Sequence, residues 1–369
     1  MSFEINYDNS IANIGNWHRI KEVMKRARNK EKLVIGFIGG SITQGANSTN
    51  PTLCYAYRVY SWWKEKFPQT EFVYCNAGIG GTTSQFGVAR VEEDLLSYEP
   101  DFVITEFSVN DFSNEHFLET YEGLVRKIYN SPKNPAMLIV HNVYYHNGAN
   151  AQLQHSKIGR YYQIPCVSMQ SSIYPEILSG RIANREITMD DLHPNDKGHE
   201  LVASVITHFL EKVYAQMNEP EEMTAPQAPL TVNSYEQSIR YRNNNIEPKM
   251  NGFVKDETPQ KDITDCFKGG WIANKEGASI TFSIMGSGIS VQYRKSVTKP
   301  APIARVIVDG DEANAKILDA NFDEDWGDKL ELDTITEHTD MKEHSVCIEI
   351  IKANDCVVPF YLVSIIATT

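Results

Sequence analysis

Long hydrophobic runs are missing from this sequence, and cysteines are few. No apolar stretch approaches the length that a bilayer-spanning helix needs, and the N-terminus has no charged segment followed by an apolar one. We therefore expect neither a membrane span nor a signal peptide. The six cysteines are scattered and contain no CxxC pair, which favours reduced thiols over a disulfide framework. Together these absences predict a cytoplasmic protein.

Positive charge is also scarce. The chain has 35 Lys and Arg residues against 48 Asp and Glu residues, and its net charge is −13. An acidic chain without a basic block is a poor candidate for binding phosphate backbones, so we expect no nucleic-acid partner. The same charge argues against an anionic membrane surface and against a polyanionic substrate.

The order of the sequence patterns predicts two domains, as does the length of 369 residues. In residues 1–217, short apolar runs alternate with helical patterns, which predicts an α/β fold with a five-stranded parallel sheet covered on both faces. Residues 218–229 are rich in proline and acidic residues and have no periodicity, so we predict a linker. Residues 230–369 contain short strand-like runs and frequent turn signals, which predict an all-β sandwich.

Three segments give more specific expectations. Residues 11–28 have helical periodicity and are predicted to form one helix on the outside of the sheet. Residues 54–67 are also predicted to be helical. Their stripe of Tyr and Trp side chains is expected to pack in the core, with sugar stacking by one ring as the alternative. Near the C-terminus, residues 345–351 and 357–367 are predicted to form a pair of strands.

A serine follows the first strand of the predicted sheet. Residues 33–38 form an apolar run that ends in Gly39-Gly40, which allow a tight turn, and Ser41 comes next. In open α/β sheets, ligands bind at the carboxyl ends of the strands, where Ser41 should lie. A serine hydroxyl is a weak nucleophile at neutral pH and needs a general base with an orienting partner. We interpret Ser41 as a nucleophile.

The base and its partner are predicted in residues 190–194, Asp-Asp-Leu-His-Pro, just before the last helix of the first domain. His193 is the predicted general base. Asp190, three residues upstream, can fold back to Nδ1 of the ring, whereas Asp191 is better placed to cap the following helix. Asp191 remains the alternative third member of the triad.

A serine esterase also needs donors for the oxyanion that develops in the transition state. Three are available at the predicted sheet edge. They are the backbone N–H of Ser41, the backbone N–H of Gly81 and the side-chain amide of Asn110.

Four short blocks contain these residues and resemble the blocks of the SGNH (GDSL-type) hydrolases, in that family's order, across residues 31–215. The blocks are Gly-Gly-Ser at Ser41, residues 76–81, Val-Asn-Asp at Asn110, and Asp-x-x-His-Pro at residues 190–194. The resemblance implies a flavodoxin-like α/β/α sandwich and ester hydrolysis. It places the nucleophile on Ser41, the orienting group and base on Asp190 and His193, and the oxyanion donors on Gly81 and Asn110.

Two positions depart from the family pattern. Gly40 stands where an Asp usually precedes the serine, and Ser108 stands where a Gly usually opens the third block. Neither position carries the triad chemistry, so esterase activity is still predicted. The Gly-Gly-Ser-Ile-Thr variant with a trailing β-domain resembles SGNH carbohydrate acetylesterases. In particular, it is similar to the two-domain acetyl-mannan esterases of carbohydrate esterase family seventeen.

We therefore predict a serine esterase that removes O-acetyl groups from carbohydrate. The expected substrate is an acetylated manno-oligosaccharide, and no metal or organic cofactor is expected. A lipase or thioesterase acting on acyl lipids is the alternative in the same class, and a non-catalytic glycan-binding protein is the alternative outside it. The C-terminal jelly-roll-like sandwich, similar in outline to carbohydrate-binding modules, is expected to help hold the glycan. The oligomeric state is open, with a homodimer as one candidate.

Two further residues are candidate substrate contacts. His141 follows the fourth predicted strand and should lie near the site, with a structural histidine as the alternative. Trp326 follows the acidic residues 323–325 and could stack on a sugar, with a solvated loop as the alternative. His199 follows His193 at a spacing that does not place two metal ligands on one helical face, so we predict no metal site.

Overall fold

The computed structural model describes residues 5–225 and 227–369. The chain forms two compact units, Met1–Asn233 and Ser234–Thr369. The first unit alternates strands and helices, and the second is built from strands, as the sequence patterns predict. Within the described ranges, no helix combines the length and the apolar composition needed to cross a membrane.

The first unit contains one six-stranded sheet in the order β1-β6-β5-β4-β2-β3. Its strands are β1 (Ile11–Asn13), β2 (Leu33–Gly39), β3 (Phe72–Gly78), β4 (Phe102–Glu106), β5 (Ala136–His141) and β6 (Cys166–Ser168). Strands β2 to β6 pair in parallel and confirm the predicted five-stranded sheet. Strand β1 is an additional short edge strand, antiparallel to β6.

Helices cover the sheet of the first unit. They are α1 (His18–Arg28), α2 (Ser41–Gln44), α3 (Tyr55–Lys66), α4 (Ser84–Asp94), α5 (Glu115–Tyr129), α6 (Gln152–Tyr161), α7 (Ile173–Leu178), α8 (Asn184–Ile187) and α9 (Asp196–Ala215). Short 3₁₀ turns occupy Tyr7–Ser10, Pro51–Leu53 and Leu96–Tyr98. On α3, Tyr55 and Trp63 are fully buried, so the main part of the aromatic stripe packs in the core as expected. Each such side chain contributes roughly 1.5–3 kcal/mol through burial.

The prediction of a single helix over residues 11–28 is wrong at its N-terminal end. Helix α1 begins only at His18, and Ile11–Asn13 joins the sheet as β1. Gly15 lies between the two elements and adopts a left-handed φ of +58°. A Cβ at this position would lie 2.5 Å from the Pro165 nitrogen. The chain therefore turns tightly at a glycine, which separates the edge strand from the helix that follows it.

The second unit is a sandwich of two antiparallel sheets. Its strands are β7 (Ile239–Tyr241), β8 (Lys249–Asn251), β9 (Val254–Lys255), β10 (Trp271–Ala273), β11 (Ser279–Gly286), β12 (Gly288–Lys295), β13 (Ile303–Val308), β14 (Lys316–Asp319), β15 (Lys329–Thr336), β16 (Lys342–Lys352) and β17 (Phe360–Thr368). One sheet has the order β15-β12-β17-β10-β9 with β7 on β17, and the other has the order β14-β13-β16-β11-β8. A 3₁₀ turn, Glu312–Asn314, follows β13.

The predicted pairing of residues 345–351 with 357–367 is wrong, because β16 and β17 belong to different sheets. Strand β16 alternates buried and more exposed residues, as expected for a sheet with one solvated face. Strand β17 is buried along its whole length and pairs with β12, β10 and β7. The segment between them crosses from one sheet to the other. The inner faces of the two sheets together form the core of the sandwich.

We predict a linker over residues 218–229, and its described residues, 218–225 and 227–229, lie along the first unit. Glu221 pairs with Lys21 at 2.8 Å and accepts the backbone N–H of Trp17 at 2.8 Å. The buried carboxylate of Glu122 accepts the N–H groups of Leu230 and Thr231 at 2.6 and 2.7 Å. These contacts place the boundary between the units after the proline-rich segment.

Candidate active site

The carboxyl ends of three neighbouring strands lie level with one another. Gly39, the last residue of β2, pairs with Gly78 of β3 on one side and with Glu106 of β4 on the other. The loops that follow these strands therefore emerge side by side at one edge of the sheet. They carry Ser41, Gly81 and Asn110, as the sequence predicts.

Ser41 is the first residue of the short helix α2, directly after the turn at Gly39-Gly40. A Cβ at Gly39 would lie 2.2 Å from Thr43 Oγ1, and a Cβ at Gly78 would lie 2.3 Å from the Gln44 nitrogen. Only glycines at these two positions let α2 pack against the strand ends. The packing leaves the Ser41 side chain partly exposed at the sheet edge.

Ser41, His193 and Asp190 form a hydrogen-bonded chain. Ser41 Oγ lies 2.8 Å from Nε2 of His193, and Nδ1 of the same ring lies 2.6 Å from Asp190 Oδ2. With the ring proton on Nδ1, the ring donates to the carboxylate, and Nε2 is free to accept the serine proton. The segment before α9 thus folds back, as the spacing of Asp190 and His193 predicts.

The Asp190 carboxylate is held in its charged form. Burial by itself would raise the pKa of Asp190, but hydrogen bonds from the His193 ring and from the backbone N–H groups of His193 and Leu192 lower this pKa to about 2. The two backbone donors reach Oδ1 at 2.7 and 3.1 Å, while the ring occupies Oδ2. Both carboxylate oxygens therefore have fixed partners.

Asp191 faces a different set of partners. Arg185 binds its carboxylate through both terminal nitrogens, at 2.6 and 3.0 Å, and Asn184 donates to the same carboxylate. Its backbone adopts φ of +68°, the left-handed region. Asp191 does not cap α9 as we expected, because Asn195 occupies the N-cap position and accepts the backbone N–H groups of residues 197 and 198.

The two loops expected to supply oxyanion donors lie against the serine turn. Gly80 donates its N–H to Gln44 Oε1 at 2.7 Å, and a Cβ at Gly80 would lie 3.6 Å from Ser41 Cβ. Gly81 follows with φ of +67°, which suits glycine. Asn110 lies on the other side, where its Oδ1 would be 2.2 Å from a Cβ on Gly40.

A buried carboxyl group lies behind this turn, and the sequence motifs do not single it out. Glu106 ends β4 and is fully buried, and burial raises its pKa to about 7 against opposing hydrogen bonds from Asn142 and Ser108. Ser108 donates to the Asn142 carbonyl at 3.0 Å and lies 3.4 Å from Glu106 Oε1. The signal was present in the sequence, since Glu106 is a charged residue inside an otherwise apolar strand pattern.

The predicted substrate contact of His141 is not available in this structure. The side chain is fully buried, and its Nε2 lies 3.2 Å from Ser156 Oγ on α6. Burial, with the nearby His155, lowers the pKa of His141 well below its usual range. The structural alternative therefore applies, because α6 covers the end of β5.

Trp326, the other candidate substrate contact, and His199, considered as a metal ligand, differ in exposure. Trp326 is 56% exposed, and its ring lies edge-on to Phe322 at 5.1 Å. His199 is buried, accepts the Tyr55 N–H at 3.2 Å and donates to the Ala46 carbonyl at 3.0 Å. Among the residues that the structure describes, no group of three or more His, Cys, Asp or Glu side chains is arranged to hold a metal ion.

Comparisons with known proteins show the family of this chain. Residues 37–201 match the GDSL-like Lipase/Acylhydrolase family. The chain is similar over 100% of its length to a two-domain esterase (CEX) active on acetylated mannans, co-crystallised with mannopentaose. That match has 61% identity, a TM-score of 0.96 and coverage of 99% of the other chain. A second structure of a two-domain esterase active on acetylated mannans matches with 62% identity, a TM-score of 0.97 and 99% coverage of each chain. Among the curated proteins, none matches.

Proposed function

The chain belongs to the GDSL-like lipase/acylhydrolase family, in the two-domain form of the esterases that it matches over its whole length, and from this premise we propose its reaction and substrate. The protein is a carboxylic ester hydrolase. We propose that it removes O-acetyl groups from acetylated manno-oligosaccharides through an acetyl-enzyme on Ser41. The hydrogen-bonded chain from Asp190 through His193 to Ser41 is the observation that carries this proposal.

In the first step, Ser41 Oγ attacks the carbonyl carbon of the acetyl group while its proton moves to Nε2 of His193. The carbonyl oxygen becomes an oxyanion, and we assign its stabilisation to the N–H groups of Ser41 and Gly81 and to the Asn110 amide. Each such donor is worth about 10²–10³-fold in rate. Asp190 keeps the ring oriented and stabilises the imidazolium that forms.

In the second step, the tetrahedral intermediate collapses. The bond between the carbonyl carbon and the sugar oxygen breaks, and His193 gives its proton to that oxygen, so the deacetylated sugar leaves. Water then enters, His193 takes a proton from it, and the hydroxyl attacks the acetyl-enzyme. Collapse of the second intermediate releases acetate and returns the proton to Ser41.

Several features support a neutral glycan as the substrate. The net charge of −13 disfavours polyanions, and both matched structures are esterases described as active on acetylated mannans. The exposed ring of Trp326 offers a surface for sugar stacking, in line with a carbohydrate-binding role for the second unit. A cytoplasmic location belongs to the same proposal, and the free thiols of the six cysteines suit a reducing compartment.

The test is acetate release, followed by mass spectrometry, from acetylated manno-, xylo- and chito-oligosaccharides. We expect loss of acetyl mass from the manno-oligosaccharides and no loss with Ser41→Ala. Cleavage of simple acetyl esters without release from any glycan would keep the serine esterase and remove the sugar assignment.

Two further measurements address the alternatives. Turnover of acetyl, butyryl and octanoyl esters should fall as the acyl chain grows, and faster octanoyl turnover would favour an acyl-lipid hydrolase. A fluorophosphonate should label Ser41, because labelling requires an activated serine. An unlabelled wild-type protein that still binds mannan would be a glycan-binding protein without catalysis.

A further inference from the structure

We propose that a second Asp–His pair, Asp111 with His155, is a positioning device that holds the two oxyanion loops in place. His155 Nε2 lies 3.0 Å from Asp111 Oδ2, and both side chains are fully buried. Neither residue belongs to the chain that ends at Ser41. This inference rests on the proposed function, since it assumes that Gly81 and Asn110 bind the oxyanion.

Asp111 joins the two loops directly. It follows Asn110 in the chain, and the backbone N–H groups of both residues donate to the Phe107 carbonyl at 3.0 Å. Its other carboxylate oxygen, Oδ1, accepts the N–H of Ser84 at 2.9 Å. Ser84 is the first residue of α4 and comes three positions after Gly81. One carboxylate therefore connects the loop of Asn110 to the loop of Gly81.

The helix α4 depends on this contact. Its N-cap residue, Thr83, makes no side-chain capping hydrogen bond. A helix N-terminus leaves N–H groups without intrahelical partners, and a negative charge there is favourable. Asp111 supplies both the acceptor and the charge from a different loop, so the start of α4 is fixed relative to Asn110.

His155 in turn fixes the Asp111 carboxylate. The ring of His155 stacks on Tyr121 with 3.6 Å between centroids and an angle of 10° between planes. The Tyr121 hydroxyl lies 2.8 Å from Thr105 Oγ1 on β4. The His155 ring on α6 therefore lies flat against Tyr121 of α5, with its Nε2 at the Asp111 carboxylate.

Stability alone gives little reason to keep such a pair. Burying two ionisable groups carries a desolvation cost, and well-packed apolar residues of similar volume are often neutral or stabilising replacements. The position of the pair supplies a reason, because Asp111 directly follows Asn110 and binds the N–H of Ser84, three residues after Gly81. Oxyanion donors must be held to within a fraction of an ångström.

The experiment is a double-mutant cycle between His155→Leu and Asn110→Ala in the full-length enzyme, with kcat, KM and Tm measured for each variant. His155→Leu should lower kcat about tenfold or more with KM within about threefold. In the Asn110→Ala background, the same change should lower kcat by a clearly smaller factor, because one of the two donors that the pair positions is already absent and only the Gly81 N–H can still be displaced. The Tm loss from His155→Leu should be the same in both backgrounds.

The second unit supplies a matched control. His344 pairs with Asp309 at 3.0 Å and is almost fully buried, so His344→Leu should lower Tm and leave kcat unchanged. If His155→Leu does not fold, Asp111→Asn replaces it. Asp111→Asn keeps an acceptor for the Ser84 N–H, and its smaller kcat loss should shrink further in the Asn110→Ala background.

The outcomes separate this inference from the proposed function. An equal fold-loss of kcat in both backgrounds, or a Tm loss without a kcat loss, would overturn the positioning role. Full activity of Asn110→Ala would instead overturn the oxyanion assignment, and activity of Ser41→Ala would overturn the esterase mechanism.

Discussion

Replacing Asp190 by Asn should inactivate the enzyme through the protonation pattern of His193. The carboxylate has two occupied oxygens, Oδ1 accepting two backbone N–H groups and Oδ2 facing Nδ1 of the ring. An amide has only one acceptor oxygen. If that oxygen keeps the two backbone donors, its NH₂ group faces Nδ1, which must then accept. The ring proton moves to Nε2, and His193 can no longer take the proton from Ser41.

The size of the effect differs between rate and stability. Loss of the correct tautomer costs on the order of 10³–10⁴-fold in kcat, or about 4–5.5 kcal/mol of barrier. The Asp190 side chain is 45% exposed, so solvent screens its interactions and the loss of folding stability should be about 1 kcal/mol or less. Hydrogen bonds outweigh burial and lower the pKa of Asp190 to about 2. Its stabilising charge is therefore lost only as the pH falls from about 4 through 2, far below assay conditions.

Asp191 provides the matched control, one residue away. Asp191→Asn weakens the exposed pair with Arg185, and Asn tolerates the left-handed backbone at this position. We expect kcat within about threefold of wild type and a stability loss of about 0–1 kcal/mol. The assay is acetate release at saturating substrate, with thermal unfolding in parallel. A larger kcat loss from Asp191→Asn than from Asp190→Asn would refute the assignment of the third member.

Three further predictions follow from buried contacts. Gly40→Ala places a Cβ 2.2 Å from Asn110 Oδ1, so kcat should fall about 100-fold, and Gly40→Ala added to Asn110→Ala should cost little more. Burial raises the pKa of Glu106 from 4.5 to about 7, so its contribution to stability is complete below about pH 4.5 and is lost as the pH rises through 7. Relative to Glu106→Gln, the wild-type unfolding free energy from urea titrations should drop by up to about 3 kcal/mol across that range and stay level above it. Glu122→Ala removes the buried carboxylate that accepts the N–H groups of Leu230 and Thr231, which should cost about 1 kcal/mol and speed proteolysis in residues 218–233.

The sequence was informative wherever a strict rule connects pattern to position. Parallel strands must present their carboxyl ends at one edge, so the loops carrying Ser41, Gly81 and Asn110 were expected together, and the level ends of β2, β3 and β4 explain why they are. The contact between Asp190 and His193 can likewise be predicted from their spacing, because a segment of four residues can fold back so that the carboxylate reaches the ring.

Long-range packing could not be read in the same way. His141 was expected at the site because it ends a strand, but α6 covers that strand end and buries the ring. Asp111 and His155 are far apart in the chain, and no local pattern connects a βα loop to the first turns of a later helix. Strands β16 and β17 are adjacent in sequence, yet adjacency does not say whether two strands pair or lie in facing sheets.

The two departures from the family pattern acquire a physical meaning from the same contacts. At Gly40 the missing Cβ leaves space that the Asn110 amide occupies, so an Asp at this position would displace a proposed oxyanion donor. At Ser108 the added hydroxyl donates a hydrogen bond to the Asn142 carbonyl and lies 3.4 Å from Oε1 of the buried Glu106. These contacts attach the start of the Asn110 loop to the end of β4. Gly40 leaves room for the Asn110 side chain, and Ser108 anchors the loop that carries it. Both departures therefore act on the surroundings of the proposed donor Asn110, and the hydrogen-bonded chain from Asp190 to Ser41 does not involve either position.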